Sequence, residues 1–315
     1  MSRLRLVFCG TPAFAVPSLN ELLASPDFQM LAVYTQPDRP RGRGHEVSFS
    51  PVKETALASS IPVHQPAKIR APEVEQELRA LAPDAIVIIA YGQIIPARLL
   101  DIPRLGWINL HASLLPKYRG AAPINWAIAN GETVTGNTTM RIDAGMDTGE
   151  MLLQQQLAIS PDETAPQLAE RLAQAGSALM HQTFTQLAAG QITPRAQEPA
   201  GATLAPILKR EDGTINWNLP AQQIYNRMRG FTPWPGAYSG FRSQLCHISG
   251  RPASNSIAGA APGEILVEGG NVFAACGATT ALQVSHVKLE GRKQITALEF
   301  VNGARLQPGE RFGKA

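Results

Sequence analysis

Cysteine is scarce in this chain, with three in 315 residues: Cys9, Cys246 and Cys276. An odd number, widely spaced and without accompanying metal-ligand patterns, supports neither a disulfide framework nor a zinc site. The three are expected to be small buried hydrophobes, and no metal is expected. Long apolar runs are missing as well. The run of note, Ala85-Ile86-Val87-Ile88-Ile89-Ala90, is far too short to span a bilayer and reads as a strand buried on both faces. Arg3, Arg5 and Leu6-Val7-Phe8 imitate the start of a signal peptide, but Gly10-Thr11-Pro12 interrupts the apolar stretch too early. The segment is therefore expected to be the first strand of a cytoplasmic protein without membrane contact. Internal repeats and low-complexity tracts are also missing. What is there, 44% hydrophobic and 17% charged residues, fits a soluble globular chain long enough for two domains.

The net charge of +3 is unevenly spread. Residues 1–190 hold 15 basic and 17 acidic side chains, residues 191–315 hold 13 and 8. A basic back part is expected to meet a polyanion; chance imbalance is the alternative. The front half alternates β-rich runs (Leu4–Cys9, Met30–Thr35, Ala85–Ala90, Trp107–Leu110) with helical patterns such as Pro72–Leu81. That order predicts an α/β fold of parallel βαβ units. Ligands bind such sheets at the carboxyl ends of the strands, where Gly10, Tyr91-Gly92 and His111 fall. Ser160-Pro161-Asp162-Glu163 has capping-box spacing and predicts a long packing helix ending at Gly190. Residues 191–206, with Pro194, Pro199, Gly201 and Pro206, read as a linker between a domain at 1–190 and one at 207–315. The second domain opens with a helix over Ala221–Arg229 closed by Gly230. Alternating runs at Glu264–Val267, Asn271–Ala275 and Leu282–Leu289 follow, as in a small β-barrel.

Chemistry concentrates at Asn109-Leu110-His111-Ala112-Ser113-Leu114-Leu115-Pro116. Strand alternation puts Asn109 and His111 on one face with Leu110 opposite. Thirty-six residues after His111, Asp147 stands between Gly145 and Gly149, glycines that let backbone approach a ligand closely. An amide, an imidazole and a carboxylate without a cysteine nucleophile suit direct acyl transfer to an amine. Asn109 and His111 can donate to the oxygen that turns negative in a tetrahedral intermediate, and Asp147 can help manage protons. Ser113, before Leu-Leu-Pro, is expected to fix the turn rather than attack. A structural histidine and an ordinary Asp-Gly turn are the alternatives at these positions.

Asn109-x-His111-x-Ser113-Leu114-Leu115-Pro116-x-Tyr118-x-Gly120, completed by Asp143-x-Gly145-x-Asp147-x-Gly149, resembles the signature of formyltransferases that use 10-formyltetrahydrofolate. Gly10-Thr11-Pro12-x-Phe14-Ala15, Thr35-Gln36-Pro37-Asp38-Arg39-Pro40-x-Gly42-Arg43-Gly44, Arg119-Gly120-Ala121-Ala122-Pro123-Ile124 and Arg229-Gly230-Phe231-x-Pro233-Trp234-Pro235 are similar to the methionyl-tRNA branch of that family, across essentially the whole chain. The resemblance implies a Rossmann-like front domain and an OB-like barrel behind. It implies Asn109, His111 and Asp147 as the catalytic trio. The folate would be held by Ser113, Leu114, Leu115 and Pro116 with Arg141, Ile142, Asp143 and Gly145, next to Tyr91 and Gly92. The formyl group would pass from 10-formyltetrahydrofolate to the amino group of methionine on initiator Met-tRNA, releasing tetrahydrofolate, with no metal and no obligatory protein partner. The residues agree on the acceptor. Thr11-Pro12 after the first strand is no phosphate cradle, because proline offers no N–H. Phe14 offers an apolar wall for a methionine side chain, with a plain core role as alternative, and Arg41 and Arg43 offer cations to RNA phosphates. Lys209 and Arg210 do the same near the barrel. Two departures stand out: His45-Glu46 follow Gly44 where the family often has lysines, and Lys209-Arg210 precede Glu211-Asp212. The rivals are a formyltransferase for a nucleotide-linked amino sugar, which needs no cationic loop, and a non-catalytic folate- or RNA-binding protein, which needs no trio.

Overall fold

The computed structural model describes residues 3–41, 46–254, 257 and 259–313. Along the chain the elements are β1 (Leu4–Gly10), α1 (Val16–Ala24), β2 (Phe28–Tyr34), β3 (Arg39–Arg41), β4 (Glu46–Ser48), α2 (Pro51–Ala58), β5 (Val63–His64), α3 (Pro72–Leu81), β6 (Ala85–Ile89), α4 (Ala97–Leu100), β7 (Trp107–His111) and α5 (Pro123–Ala129). They continue with β8 (Val134–Arg141), β9 (Met151–Ala158), α6 (Ala165–Ala188), α7 (Ala221–Gly230), β10 (Tyr238–Phe241), β11 (Gln244–Pro252), β12 (Ile265–Glu268), β13 (Asn271–Ala275), β14 (Ala281–Leu289), β15 (Ile295–Thr296) and α8 (Ala297–Ala304). The chain forms two compact units, one of residues 1–123, 134–158 and 168–206, the other of 124–133, 159–167 and 207–315.

The first unit is a seven-stranded sheet in the order β5-β2-β1-β6-β7-β8-β9. From β5 to β7 neighbouring strands are parallel, whereas β7–β8 and β8–β9 are antiparallel. Alternate residues feed two cores, as expected for strands covered on both faces. Leu6, Phe8, Val87, Ile108 and Leu110 pack with Leu19 of α1 and Phe184 of α6 on one side. Val7, Cys9, Ile86, Ile88 and Trp107 pack with Leu78 of α3 on the other. The antiparallel pair β8–β9 escapes a reading by hydrophobic alternation because Thr135, Asn137, Thr138 and Thr139 are buried polar residues. Internal partners hold several of them: Thr139 Oγ1 lies 2.8 Å from Thr183 Oγ1, and Asn137 Nδ2 donates to Leu172 O at 2.8 Å, although Asn137 Oδ1 is buried without a partner among the described residues. Gly136 is required there, since a Cβ would come within 2.0 Å of Gln155 O.

Two boundaries differ from the sequence expectation. The long helix starts at Ala165, not at Pro161. Glu163 Oε2 does accept from Ser160 N at 3.0 Å, but the box closes a turn ahead of the helix. Thr164 N–H and hydroxyl both donate to Gln167 Oε1, at 2.9 and 2.8 Å, at the true entrance. Residues 191–206, expected as a linker, are laid on the first unit. Arg195 bridges Met151, and Leu204 bridges Arg119.

The second unit holds an antiparallel sheet in the order β10-β11-β14-β13-β12, with β15 also paired to β14. Ile224 and Met228 of α7, Phe300 of α8, and Ile248, Val272, Val284 and Phe312 form its core. An antiparallel sheet wrapped by helices fits the expected barrel-like back domain. Burial pushes Cys246 and Cys276 up to about 11, and raises Cys9 as well, so all three cysteines are free, buried thiols. Among the described residues no helix is long and apolar enough to cross a membrane.

Candidate active site

β7 occupies the place where the sheet changes sense, with β6 parallel on one side and β8 antiparallel on the other. Its alternation commits Leu110 to the core and leaves Asn109 and His111 on the opposite face, where Trp107 is anchored by an N–H bond to Leu99 O at 2.7 Å. The Asn109 carboxamide is partly exposed and makes no hydrogen bond among the described residues. His111 is only 6% exposed. Its Nε2 lies 2.8 Å from Tyr118 O. A carbonyl only accepts, so Nε2 carries a proton and Nδ1 is the nitrogen left for chemistry. Nδ1 faces Asp147, with Oδ2 at 3.7 Å.

Asp147 arrives from the loop between β8 and β9. It has φ +53°, an uncommon conformation for a non-glycine residue that surrounding bonds must hold. Gly120 N–H donates to its Oδ2 at 2.8 Å. Within the same loop Asp143 Oδ1 accepts from Gly145 N and Thr148 Oγ1, at 3.0 and 2.8 Å. Gly149 closes it against Arg141 O, 1.9 Å from where a Cβ would stand.

The 113–118 turn is rigid. Ser113 is fully buried, and its hydroxyl donates to Lys117 O at 2.6 Å, so it shapes the turn and has no proton to spare for attack. Leu115 is buried with Met140 and Met151, which leaves Leu114 and Pro116 as the partly exposed members of the expected folate turn. Tyr91 turns its side chain into the core and offers its carbonyl, which accepts from Thr11 Oγ1 and Gln36 Nε2 at 3.2 and 3.0 Å. Gly92 beside it is exposed. Arg141 pairs with Glu150 at 3.2 Å, and Ile142 packs against the core beneath Trp107.

Phe14 is partly buried against the β1 core, which favours its core role. Arg41 lies in β3, opposite Glu46 of β4, and Arg43 lies outside the described residues. The root of that hairpin is tied down, because Lys53 binds Asp38 and Gln65 and sits 3.9 Å over the Phe49 ring. Lys209 and Arg210 belong to the second unit, exposed, with Lys209 Nζ 3.9 Å from Glu211.

Residues 4–184 match the model of the formyl transferase family, and residues 207–305 match that of the formyl transferase C-terminal domain. The methionyl-tRNA formyltransferase of Koribacter versatilis is 52% identical over 311 residues, 98% of each chain. That of Citrifermentans bemidjiense is 49% identical over 315 residues, all of this chain and 98% of its own. The chain belongs to the methionyl-tRNA formyltransferase family. In fold it is also similar to the sugar 3N-formyl transferase WlaRD, with a TM-score of 0.66 at 17% identity, covering 93% of this chain and all of that one. The N-formyltransferase of Helicobacter canadensis gives 0.65 at 18%, covering 89% and 98%.

In this formyltransferase the sequence reading missed the residues that hold the trio in place. Gln197 is 8% exposed, and its Nε2 donates to Asp147 O and Gly149 O, both at 2.8 Å. Its Oε1 accepts from Arg119 Nε and Nη2, at 3.0 and 2.7 Å. One amide thus joins the Asp147 loop to the Arg119-Gly120 segment that touches the Asp147 carboxylate. Thr203 Oγ1 accepts from Tyr118 N at 2.8 Å, steadying the carbonyl that holds His111. Thr138 Oγ1 donates to Ser113 O at 2.7 Å and accepts from Leu115 N at 3.2 Å, and Gln154 Nε2 donates to Leu115 O at 2.9 Å. Gln197 and Thr203 lie in an aperiodic stretch, so no pattern marks them; a buried glutamine in a Pro-rich segment declares itself only in three dimensions.

Proposed function

We propose that this protein transfers the formyl group of 10-formyltetrahydrofolate to the α-amino group of methionine on initiator Met-tRNA, with Asn109, His111 and Asp147 as the reacting trio. The observation that carries this reading is the convergence of an open Asn109 amide, a His111 ring tethered through Nε2 and the Asp147 carboxylate, in a chain whose full-length relatives are methionyl-tRNA formyltransferases. The likeness to WlaRD, solved in the presence of 5-N-formyl-THF, supports a folate donor. So does the site: partly exposed Leu114 and Pro116 can flank a flat ring.

The amine attacks the formyl carbon, and the carbonyl oxygen takes up negative charge. Asn109 Nδ2 and a protonated His111 Nδ1 are the donors for that oxygen. With Nε2 committed to Tyr118 O, the imidazole is pre-oriented and spends no reorganisation as charge develops. Asp147, on the Nδ1 side, balances the imidazolium and takes part in moving the proton from the attacking amine toward the departing N10. The intermediate then expels N10, and the formamide forms. The arrangement needs no covalent enzyme intermediate, which agrees with the committed hydroxyl of Ser113.

Formyl transfer by the purified protein from 10-formyltetrahydrofolate to Met-tRNA, with a UDP-amino sugar and glycinamide ribonucleotide as competing acceptors, tests the reading. Formyl on Met-tRNA is the expected product; formyl on a small acceptor alone would overturn it.

A further inference from the structure

Trp234, in the stretch that follows α7, is 55% exposed, while Phe231 in the same stretch is buried. The turn carrying the indole is clamped. Phe231 N donates to Arg227 O and Gly236 N to Phe231 O, both at 2.9 Å, and Thr232 Oγ1 donates to Met228 O at 2.7 Å. Pro233 and Pro235 restrict the backbone on either side. A large aromatic shown on so stiff a tip has little conformational entropy left to lose on binding.

The chain leaving this tip runs beside a group of cations. Ala237 O accepts from Ile248 N at 3.0 Å, and a Cβ on Gly236 would lie 3.6 Å from His247 Nδ1. Tyr238 pairs with His247, ring edge to face at 5.9 Å, and its hydroxyl donates to Arg210 O at 2.6 Å. On the far side of His247, across the strand pair, stands Lys288. Partial burial pushes His247 below the usual histidine range, and Lys288 and Arg210 push it further, while Glu290 works the other way. Two of the three charges acting on His247 are therefore cations. A protein partner docking by apolar contact needs a contiguous apolar patch, whereas here a single exposed indole is carried on a turn whose outgoing strand leads, through His247, to Lys288. That is the chemistry of a platform for single-stranded nucleic acid, where a π face stacks on any base and neighbouring cations meet the phosphates.

We propose that Trp234 stacks on an unpaired nucleotide of the RNA acceptor, with Lys288 and Arg210 on the adjoining phosphates. The proposal rests on Met-tRNA being the acceptor and adds the contact that holds it. Equilibrium binding of Met-tRNA to the full chain, measured by filter retention across a salt series, is the test. Trp234→Ala is expected to weaken binding roughly tenfold or more, and Trp234→Phe, which keeps a π face, to stay within about threefold of wild type. Lys288→Gln should lower the slope of log affinity against log salt by about one. The KM for the formyl donor and the melting temperature of Trp234→Ala should match wild type. Unchanged RNA affinity in Trp234→Ala would overturn the proposal, and so would a loss shared equally by the donor KM and the melting temperature. If Met-tRNA is not formylated by the wild type but Trp234→Ala still weakens its binding, the proposed activity fails and the platform stands.

Discussion

At the scale of single residues, the site depends on which atoms are already spoken for. His111 Nε2 is spent on Tyr118 O, so only Nδ1 can serve the reaction, and it shares its surroundings with Asp147. His111→Ala removes an oxyanion donor and is expected to lower kcat by ~10²–10³. Asp147→Asn should also lower kcat by orders of magnitude; in both variants folate binding, followed by fluorescence titration, should persist. Gln197 is a positioning residue whose amide spans the Asp147 loop and Arg119. Gln197→Met keeps the length and removes every one of those bonds. Its kcat is expected to fall about 10- to 100-fold, as a displaced group costs, with KM for both substrates within twofold. Steady-state kinetics that show a KM effect with normal kcat would assign Gln197 to substrate binding instead.

At the scale of elements, the turn after β7 is shaped from β8 and β9. Thr138 is fully buried, and its hydroxyl both donates to Ser113 O and accepts from Leu115 N. Thr138→Val preserves the β-branched shape and strands those two backbone groups. A loss of about 1–3 kcal/mol in urea unfolding is expected, together with reduced activity, because the same turn leads to the Tyr118 carbonyl. Unchanged stability would mean that the two hydrogen bonds of Thr138 add nothing net to the fold. β3 and β4 form a separate hairpin outside the main sheet. Its root is tied down by hydrogen bonds among Asp38, Lys53 and Gln65.

At the scale of the whole molecule, acid should loosen the first unit through its tethered carboxylates. Burial alone would raise Asp84, but the Arg5 N–H at 2.8 Å and the Arg104 guanidinium at 2.7 Å outweigh it and hold Asp84 below its usual range. Asp38, through Lys53 and then Gln65, and Glu75, through Arg79 and then Arg98, are lowered too. A carboxyl group with a lowered folded-state value stabilises the fold above its unfolded value, about 4, and that contribution is lost as pH falls through the folded value. The melting temperature of Asp84→Asn should therefore lie below wild type at pH 7 and converge with it toward pH 3; parallel curves would count against the assignment. Much of the fold was legible beforehand. Buried parallel strands are continuous apolar runs, so β1, β2, β6 and β7 show themselves, as does α3 by its periodicity, and the resemblance reached both domains. β8 was hidden because its buried residues include Thr135, Asn137, Thr138 and Thr139, and β9 because Gln154, Gln155 and Gln156 interrupt its apolar pattern. By itself the sequence determined the period of each apolar element, the shared face of Asn109 and His111, and the family signature, because these depend on local geometry and on residue type. Only the tertiary structure decided which imidazole nitrogen is free, why Asp147 keeps a positive φ, and that Gln197 and Thr203 brace the site. Those facts are set by hydrogen bonds whose partners range from 7 residues apart, His111 with Tyr118, to 85 apart, Tyr118 with Thr203, and such bonds leave no period in the chain that makes them.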